Sequence, residues 1–219
     1  MSQGCVFCDI AANRAPAKRE YLLSESGQLI DYPGLVAFHN RLDWARVMLL
    51  VIPVKHMTQA ELWKSDLLGQ AALLSIALGE KLIPEGFRIL SNFGRPAHQS
   101  QEHAHIHIVA TPDNTLPSSF EANDQQLMNE VGDVRVDEIE IHGVTWSARV
   151  SLTEVETQIE MWRSDKLVDC GRVAIDLASL ESPDGFRLVA NFFSPATSII
   201  GGGEPSLLIL GGGELDLYA

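Results

Sequence analysis

The sequence predicts an α+β fold in which an antiparallel sheet carries helices on one side and the whole unit occurs twice along one chain. Three observations predict it. Short runs of branched and apolar residues alternate with helical patterns, capping boxes open those helices, and residues 58–94 match residues 157–193 at a constant offset of 99 without a gap. Of the 37 aligned pairs 15 are identical, among them Trp63 with Trp162, Pro84 with Pro183, Arg88 with Arg187 and Asn92 with Asn191. Ungapped agreement of that quality marks an internal duplication. Residues 1–114 are therefore expected to form one unit and residues 115–219 its repeat.

The elements follow in chain order. Residues 36–39 and 47–52 read as strands, being rich in branched and apolar side chains. Thr58-x-x-Glu61 is a capping box that opens a short helix, and Thr157-x-x-Glu160 repeats it. Ser65 and Ser164 stand where an N-cap would start the next helix, residues 66–82 and its counterpart. Pro84 and Gly86 end that helix, and residues 87–92 form a strand. Residues 103–110 alternate polar and apolar side chains and make the last strand of the unit. Residues 112–124, rich in Pro, Asn, Ser and Asp, read as the linker. An alignment extended with a three-residue insertion sets Pro205, Leu207 and Ile209 against His103, His105 and His107. The second unit is thus expected to lack the polar strand and to be structural. One live and one dead site describe an intramolecular pseudo-dimer.

Composition sets outer limits. With 219 residues, 46% of them hydrophobic, the chain can bury the core of one domain or of two small ones. A net charge of −13 argues against a general nucleic-acid binder, which needs a basic face to displace counterions. It leaves room for a small anionic ligand held by local donors. The longest apolar stretch, residues 47–54, is too short to span a bilayer, and no charged-then-apolar leader pattern opens the chain. Three cysteines do not make a disulfide framework. These features suit a soluble cytoplasmic protein without nucleic-acid or membrane partners.

The chemistry concentrates in His103-Ala104-His105-Ile106-His107. In a strand, residues i, i+2 and i+4 share a face, so the three imidazoles project together. One ring donating to a neighbour fixes its tautomer and leaves the central Nε2 lone pair free to attack phosphorus. A neighbouring imidazolium or backbone amides can hold the developing charge. His105 is the candidate nucleophile. A single strand histidine is ordinarily a polar or core residue; three at period two resist that reading. The rival chemistry is a metal site, since histidines at i and i+2 can ligate one ion. Periodicity alone does not separate the two.

His103-Ala104-His105-Ile106-His107-Ile108-Val109 fits the histidine-triad (HIT) signature His-φ-His-φ-His-φ-φ, with φ apolar, and the chain resembles that family over residues 5–112. Gln99-Ser100 and Asn92 resemble its nucleotide phosphoramidase branch, Leu50-Val51-Ile52-Pro53-x-Lys55-His56 resembles the family's strand-to-helix corner, and Cys5-x-x-Cys8-Asp9-Ile10 its bacterial N-terminus. The duplicated layout with one degenerate half resembles the galactose-1-phosphate uridylyltransferases. The resemblance implies a HIT-like sheet in which His105 attacks an α-phosphate and forms a nucleotidyl-histidine. It implies that His107 contacts the phosphate and that His103 orients its neighbours or ligates a metal. Ser100 and Gln99 would bond the phosphate or leaving group, and Asn92 the ribose or phosphate. The ligand implied is a small nucleotide: a phosphoramidate, phosphoester or dinucleoside polyphosphate. The protein would be a monomeric pseudo-dimer or a homodimer.

Two positions depart from the family pattern. The residue expected to be an acid that binds both ribose hydroxyls is Asn40, which loses the charge-assisted bidentate contact. Zinc-bearing relatives take ligands from the cysteine pair, the first triad histidine and a histidine eight residues before the His56 position. Here that last position is Met48. Cys5, Cys8 and His103 would leave a structural zinc site one ligand short, with a water, His39 or another residue to complete it. Catalysis itself would need no cofactor. Two other functions stay open: a nucleotide sensor that binds without turnover, and a metal-dependent enzyme that loses activity on chelation. His98, in the loop before the triad, could face the phosphates, although a solvated loop histidine is the plainer reading. His39 and His142 align between copies at an offset of 103, which favours a shared structural role. Cys170 reads as a packed thiol, and the glycines at 201–203 and 211–213 as tight turns.

Overall fold

The computed structural model of the chain describes residues 4–42, 45–110, 126–141, 144–193, 205–211 and Leu215. In chain order its elements are α1 (Val6–Ala11), β1 (Leu22–Leu23), β2 (Leu29–Ile30), β3 (Leu35–His39), β4 (Met48–Pro53), α2 (Gln59–Trp63), α3 (Leu67–Leu82), β5 (Gly86–Phe93) and β6 (Ile106–Val109), with a 3-10 turn at Arg95–Ala97. The second half supplies β7 (Gln126–Val131), β8 (Val134–Glu138), β9 (Trp146–Leu152), α4 (Gln158–Arg163), α5 (Leu167–Glu181), β10 (Phe186–Phe193) and β11 (Leu207–Gly211). Both expected capping boxes form, Thr58 with Glu61 and Thr157 with Glu160, and open α2 and α4. Ser65 does not cap the next helix: its hydroxyl donates to the Leu62 carbonyl at 2.9 Å, and α3 starts beyond Asp66 without a side-chain cap bond. The β1–β2 hairpin and strand β7 are additions that the sequence pattern did not announce. The expected linker at 112–124 lies outside the described residues.

Nine strands form one antiparallel sheet in the order β3-β4-β6-β5-β10-β11-β9-β8-β7. The two halves mirror each other about the β5–β10 seam. Leu90 faces Val189, its own counterpart at the offset of 99, so each seam residue meets the partner that two-fold symmetry requires. Arg88 Nε donates to Asn191 Oδ1 at 3.0 Å, and Arg187 Nε donates to Asn92 Oδ1 at 2.8 Å. Phe87 stacks on Phe192 and Phe93 on Phe186, with centroids 4.8 and 4.4 Å apart. Trp63 meets Trp162 edge-on at 6.1 Å. The chain is an α+β pseudo-dimer.

The last strand corrects the alignment of the two copies. Leu90 pairs with His107, and its counterpart Val189 pairs with Leu208. The offset there is 101, which sets Leu208 against His107 and Ser206 against His105. Side chains give the same answer. Gln59 grips the backbone of His105 (Nε2 to carbonyl 2.7 Å, amide to Oε1 2.8 Å), and Gln158 grips Ser206 in the same way at 2.8 and 2.7 Å. A slip of one residue exchanges the faces of a strand. Matching Leu207 and Ile209 to histidines therefore set core-facing residues against site-facing ones. On β8 the ladder keeps the offset of 99, so Glu138 rather than His142 occupies the His39 position; His142 itself lies outside the described residues.

Helices α2 to α5 cover one face. Ile89, Ile106, Ile108, Leu188 and Ile209 from the sheet pack there against Leu62, Leu68, Leu78 and Trp162. On the opposite face α1 sets Phe7 and Ile10 on Phe38, Leu50 and Ile52. The second unit holds Asp137, Arg149 and Ser151 at those three sheet positions. Asp137 is wholly buried between Arg135 and Arg149, each 2.9 Å away. Cys170 is buried in α5, and burial pushes its thiol up to about 12, as expected of a packed cysteine. No helix among the described residues is long and apolar enough to cross a membrane.

Candidate active site and metal cluster

Strand β6 begins only at Ile106, because Gln59 takes the amide and carbonyl of His105 that a neighbouring strand would otherwise use. Ala104, Ile106 and Ile108 are completely buried toward the helices, which turns His105 and His107 to the other face. His105 Nδ1 lies 2.8 Å from the His103 carbonyl. A carbonyl only accepts, so Nδ1 carries the proton and the lone pair sits on Nε2. Burial lowers the His105 pKa below the ordinary imidazole value, opposed in part by that hydrogen bond. The ring is therefore neutral at neutral pH. Only 3% of His105 is exposed, and its ring meets Phe7 edge-on at 5.3 Å and His107 at 5.0 Å. Burial also drives His107 well below the usual imidazole range, with His105 and then Arg187 adding to the shift.

His103 turns elsewhere. Its Nε2 donates to the Pro53 carbonyl at 2.8 Å, leaving the Nδ1 lone pair directed at Cys5 Sγ and Cys8 Sγ, both 3.4 Å away. His56 Nδ1 is also 3.4 Å from Cys8 Sγ, and the four ligand atoms all lie within 4.8 Å of one another. A tetrahedron with ligands about 2.0–2.3 Å from a central ion has edges of roughly 3.3–3.8 Å. Cys5, Cys8, His56 and His103 thus fit one metal ion, and the Pro53 carbonyl fixes the tautomer that His103 needs to bind it.

The fourth residue of the cluster is His56, not Met48. Met48 starts β4, where its sulfur accepts from Asn40 Nδ2 at 2.9 Å and its side chain packs with Leu90 and Val109. Pro53 at the far end of β4 holds His103, and His56 in the corner just beyond it reaches Cys8. His39 stays apart, paired with Glu20 at 3.2 Å.

The remaining candidates divide into two groups. Asn92 is 1% exposed, its Oδ1 accepts from Arg187, and its Nδ2 is buried without a hydrogen-bond partner. Because Leu90 faces His107, Asn92 two residues on lies level with His105. The others hold loops. Gln99 accepts from the Gly94 amide at 2.8 Å and donates to the Gln101 carbonyl at 3.0 Å. His98, at a left-handed φ of 61°, donates from Nε2 to the Leu215 carbonyl at 2.6 Å. Asn40 Oδ1 accepts from the Leu42 amide at 3.3 Å, and Ser100 is exposed. Sequence reasoning missed His56, Gln59, Phe7 and Arg187 as parts of this site. The signals were present: Gln59 and Arg187 recur in the repeat as Gln158 and Arg88, and Phe7 lies between the two cysteines.

An antiparallel α+β scaffold that sets three alternate histidines on one segment leading into β6, beside a two-cysteine, two-histidine cluster, defines a histidine-triad protein. The HIT domain family model matches residues 24–114. Protein HitA of Neisseria gonorrhoeae is 33% identical over 112 residues, covering 49% of this chain and 96% of that protein. The chain belongs to the HIT family. An adenosine 5'-monophosphoramidase of Schizosaccharomyces pombe is 27% identical over 108 residues, 49% of this chain and 74% of that one. The crystal structure of an ADP-glucose phosphorylase from Arabidopsis thaliana superposes on 100% of this chain and 83% of its own, with a TM-score of 0.63 and 13% identity. That likeness shows the fold across both units.

Proposed function

We propose that this protein is a nucleotide hydrolase or nucleotidyl transferase that works through a nucleotidyl-His105 intermediate on a phosphoramidate, phosphoester or dinucleoside polyphosphate. The observation that carries the reading is the His105 Nδ1 bond to the His103 carbonyl, which leaves a neutral Nε2 lone pair for attack. Nε2 forms a bond to the α-phosphorus as the bond to the leaving group breaks. The leaving group departs with the bonding pair and takes up a proton from solvent. Water, or another acceptor in a transferase, then attacks phosphorus and loses its proton to solvent as the P–N bond breaks and returns the lone pair to Nε2. Asn92 Nδ2 offers a donor to a phosphoryl oxygen, and His107 lies against the same group. Ser100 and Gln99 sit in the loop that would meet the leaving group. With His105 so little exposed, the nucleotide reaches Nε2 as the cover over the ring, Phe7 included, gives way.

Zinc suits the cluster of Cys5, Cys8, His56 and His103; bound there, it would cross-link α1 to the triad strand as a structural ion. His105 stands outside that cluster, which favours nucleophilic use of its ring over a metal-dependent mechanism. In this reading residues 1–114 hold the active site and residues 115–219 form a repeat without one. The test is to incubate the protein with α-labelled adenosine 5'-phosphoramidate, quench, and map the label. Label is expected on His105 in the unaltered chain and nowhere in His105→Ala, with matching circular dichroism. Undiminished turnover by His105→Ala would remove His105 from the mechanism.

A further inference from the structure

The second unit contributes a side chain to the buried face that carries the triad. β5 and β10 pair so that Asn92 faces Arg187, and Arg187 is 0% exposed. Its Nε donates to Asn92 Oδ1 at 2.8 Å. A guanidinium has donors only, so the Asn92 amide has one permitted orientation, with oxygen toward Arg187 and nitrogen away from it. That nitrogen is the buried donor without a partner, level with His105. A donor left unpaired in a dry site is costly unless a ligand brings the acceptor.

We propose that Arg187 is a positioning residue of the His105 site: it fixes the Asn92 amide so that Nδ2 donates to an oxygen of the phosphoryl group under attack. The inference rests on the nucleotidyl-transfer reading above and makes the degenerate unit part of the catalytic arrangement. Without Arg187 the amide can turn over, and its oxygen would then face a phosphoryl oxygen, replacing attraction with repulsion. The pseudo-symmetry supplies an internal control. Arg88 donates to Asn191 in the mirror position at 3.0 Å, but the strand positions that match His105 and His107 there are Ser206 and Leu208. One hydrogen bond thus occurs twice, and only one copy has histidines beside it.

The experiment measures the single-turnover rate of His105 labelling by α-labelled adenosine 5'-phosphoramidate, with thermal unfolding recorded for each variant. Asn92→Ala and Arg187→Met are each expected to slow labelling about a hundredfold, the usual effect of losing one oxyanion donor. The double variant should be no slower than Asn92→Ala alone, because both changes remove one interaction. Arg187→Lys should recover part of the rate, and Arg88→Met should label at the unaltered rate. Labelling by a folded Arg187→Met within about twofold of the unaltered chain overturns the proposal, as do losses that multiply in the double variant. Should Arg187→Met fail to fold, Arg187→Lys decides: it is expected to slow labelling in the unaltered chain and to add nothing in Asn92→Ala, and an equal effect in both backgrounds overturns the proposal. Absence of any label on His105 in the unaltered chain overturns the nucleotidyl-histidine reading itself and is thereby told apart from a failure confined to Arg187.

Discussion

His103, His105 and His107 occupy alternate positions of one segment and yet serve different ends, because each ring meets a different partner. The Pro53 carbonyl turns His103 toward the cysteines, and the His103 carbonyl fixes the tautomer of His105. His107 is held neutral by burial first, then by His105 and Arg187. That neutrality has a measurable consequence. Its folded-state pKa lies well below 6.5, so as pH is lowered through that value the unfolded chain takes up a proton while the folded chain does not. The contribution to stability is complete above about pH 6.5 and is lost as pH falls below it. His107→Leu installs the residue found at the matching position, Leu208, and is expected to fold. It should flatten the fall in unfolding free energy between about pH 6.5 and about pH 5 by up to ~1.4 kcal/mol per pH unit, read from urea titrations. An unchanged slope would mean that His107 is already protonated in the folded chain. At this scale the triad was legible because its three residues lie within one short segment. The link between Asn92 and Arg187 was not, since a hydrogen bond between residues 95 apart leaves no local pattern.

The elements show where local signals sufficed and where a distant partner overrode them. Both capping boxes formed, since all their atoms lie within one turn. Strand β6 started three residues later than the alternation suggested, because a side chain from α2 took over the backbone of His105. The cysteine pair was legible as half of a metal site, but its ligands come from three separate segments, and counting along β4 pointed to Met48 instead of His56. Helix α1 has six residues, too few to be stable alone, and relies on Phe7, Ile10 and the cluster at its start. Purified protein is therefore expected to carry about one zinc per chain by elemental analysis. His56→Ala should lose it and melt at lower temperature, and chelation should lower the melting temperature of the unaltered chain in the same direction. Met48→Leu should keep its metal. A full equivalent of zinc retained by His56→Ala would exclude the four-ligand assignment.

At the scale of the whole molecule, the duplication was readable where the seam preserved identities and unreadable where it did not. Pairs such as Phe87 with Phe186 and Arg88 with Arg187 survive because each makes the same contact across β5–β10, Phe87 on Phe192 and Phe186 on Phe93, Arg88 to Asn191 and Arg187 to Asn92. The last strand kept no such constraint, and its register could be placed only through the pairing of β11 and the matching grips of Gln59 and Gln158. The self-complementary seam carries the final prediction. A chain ending at residue 114 loses β10, leaving Phe87, Phe93 and Trp63 without the aromatic partners Phe192, Phe186 and Trp162. A second copy of the same fragment can restore every one of those contacts, because Leu90 sits at the centre of a register in which Arg88 and Asn92 lie equally far on either side. The fragment is thus expected to sediment as a homodimer with two triads. In each, Arg88 of the other copy would stand where Arg187 stands in the full chain. Arg88→Met, silent in the full chain, should then slow His105 labelling in the fragment about a hundredfold, as Arg187→Met does in the full chain. A fragment that stays monomeric while folded and active would show that neither the seam nor an arginine across it is needed.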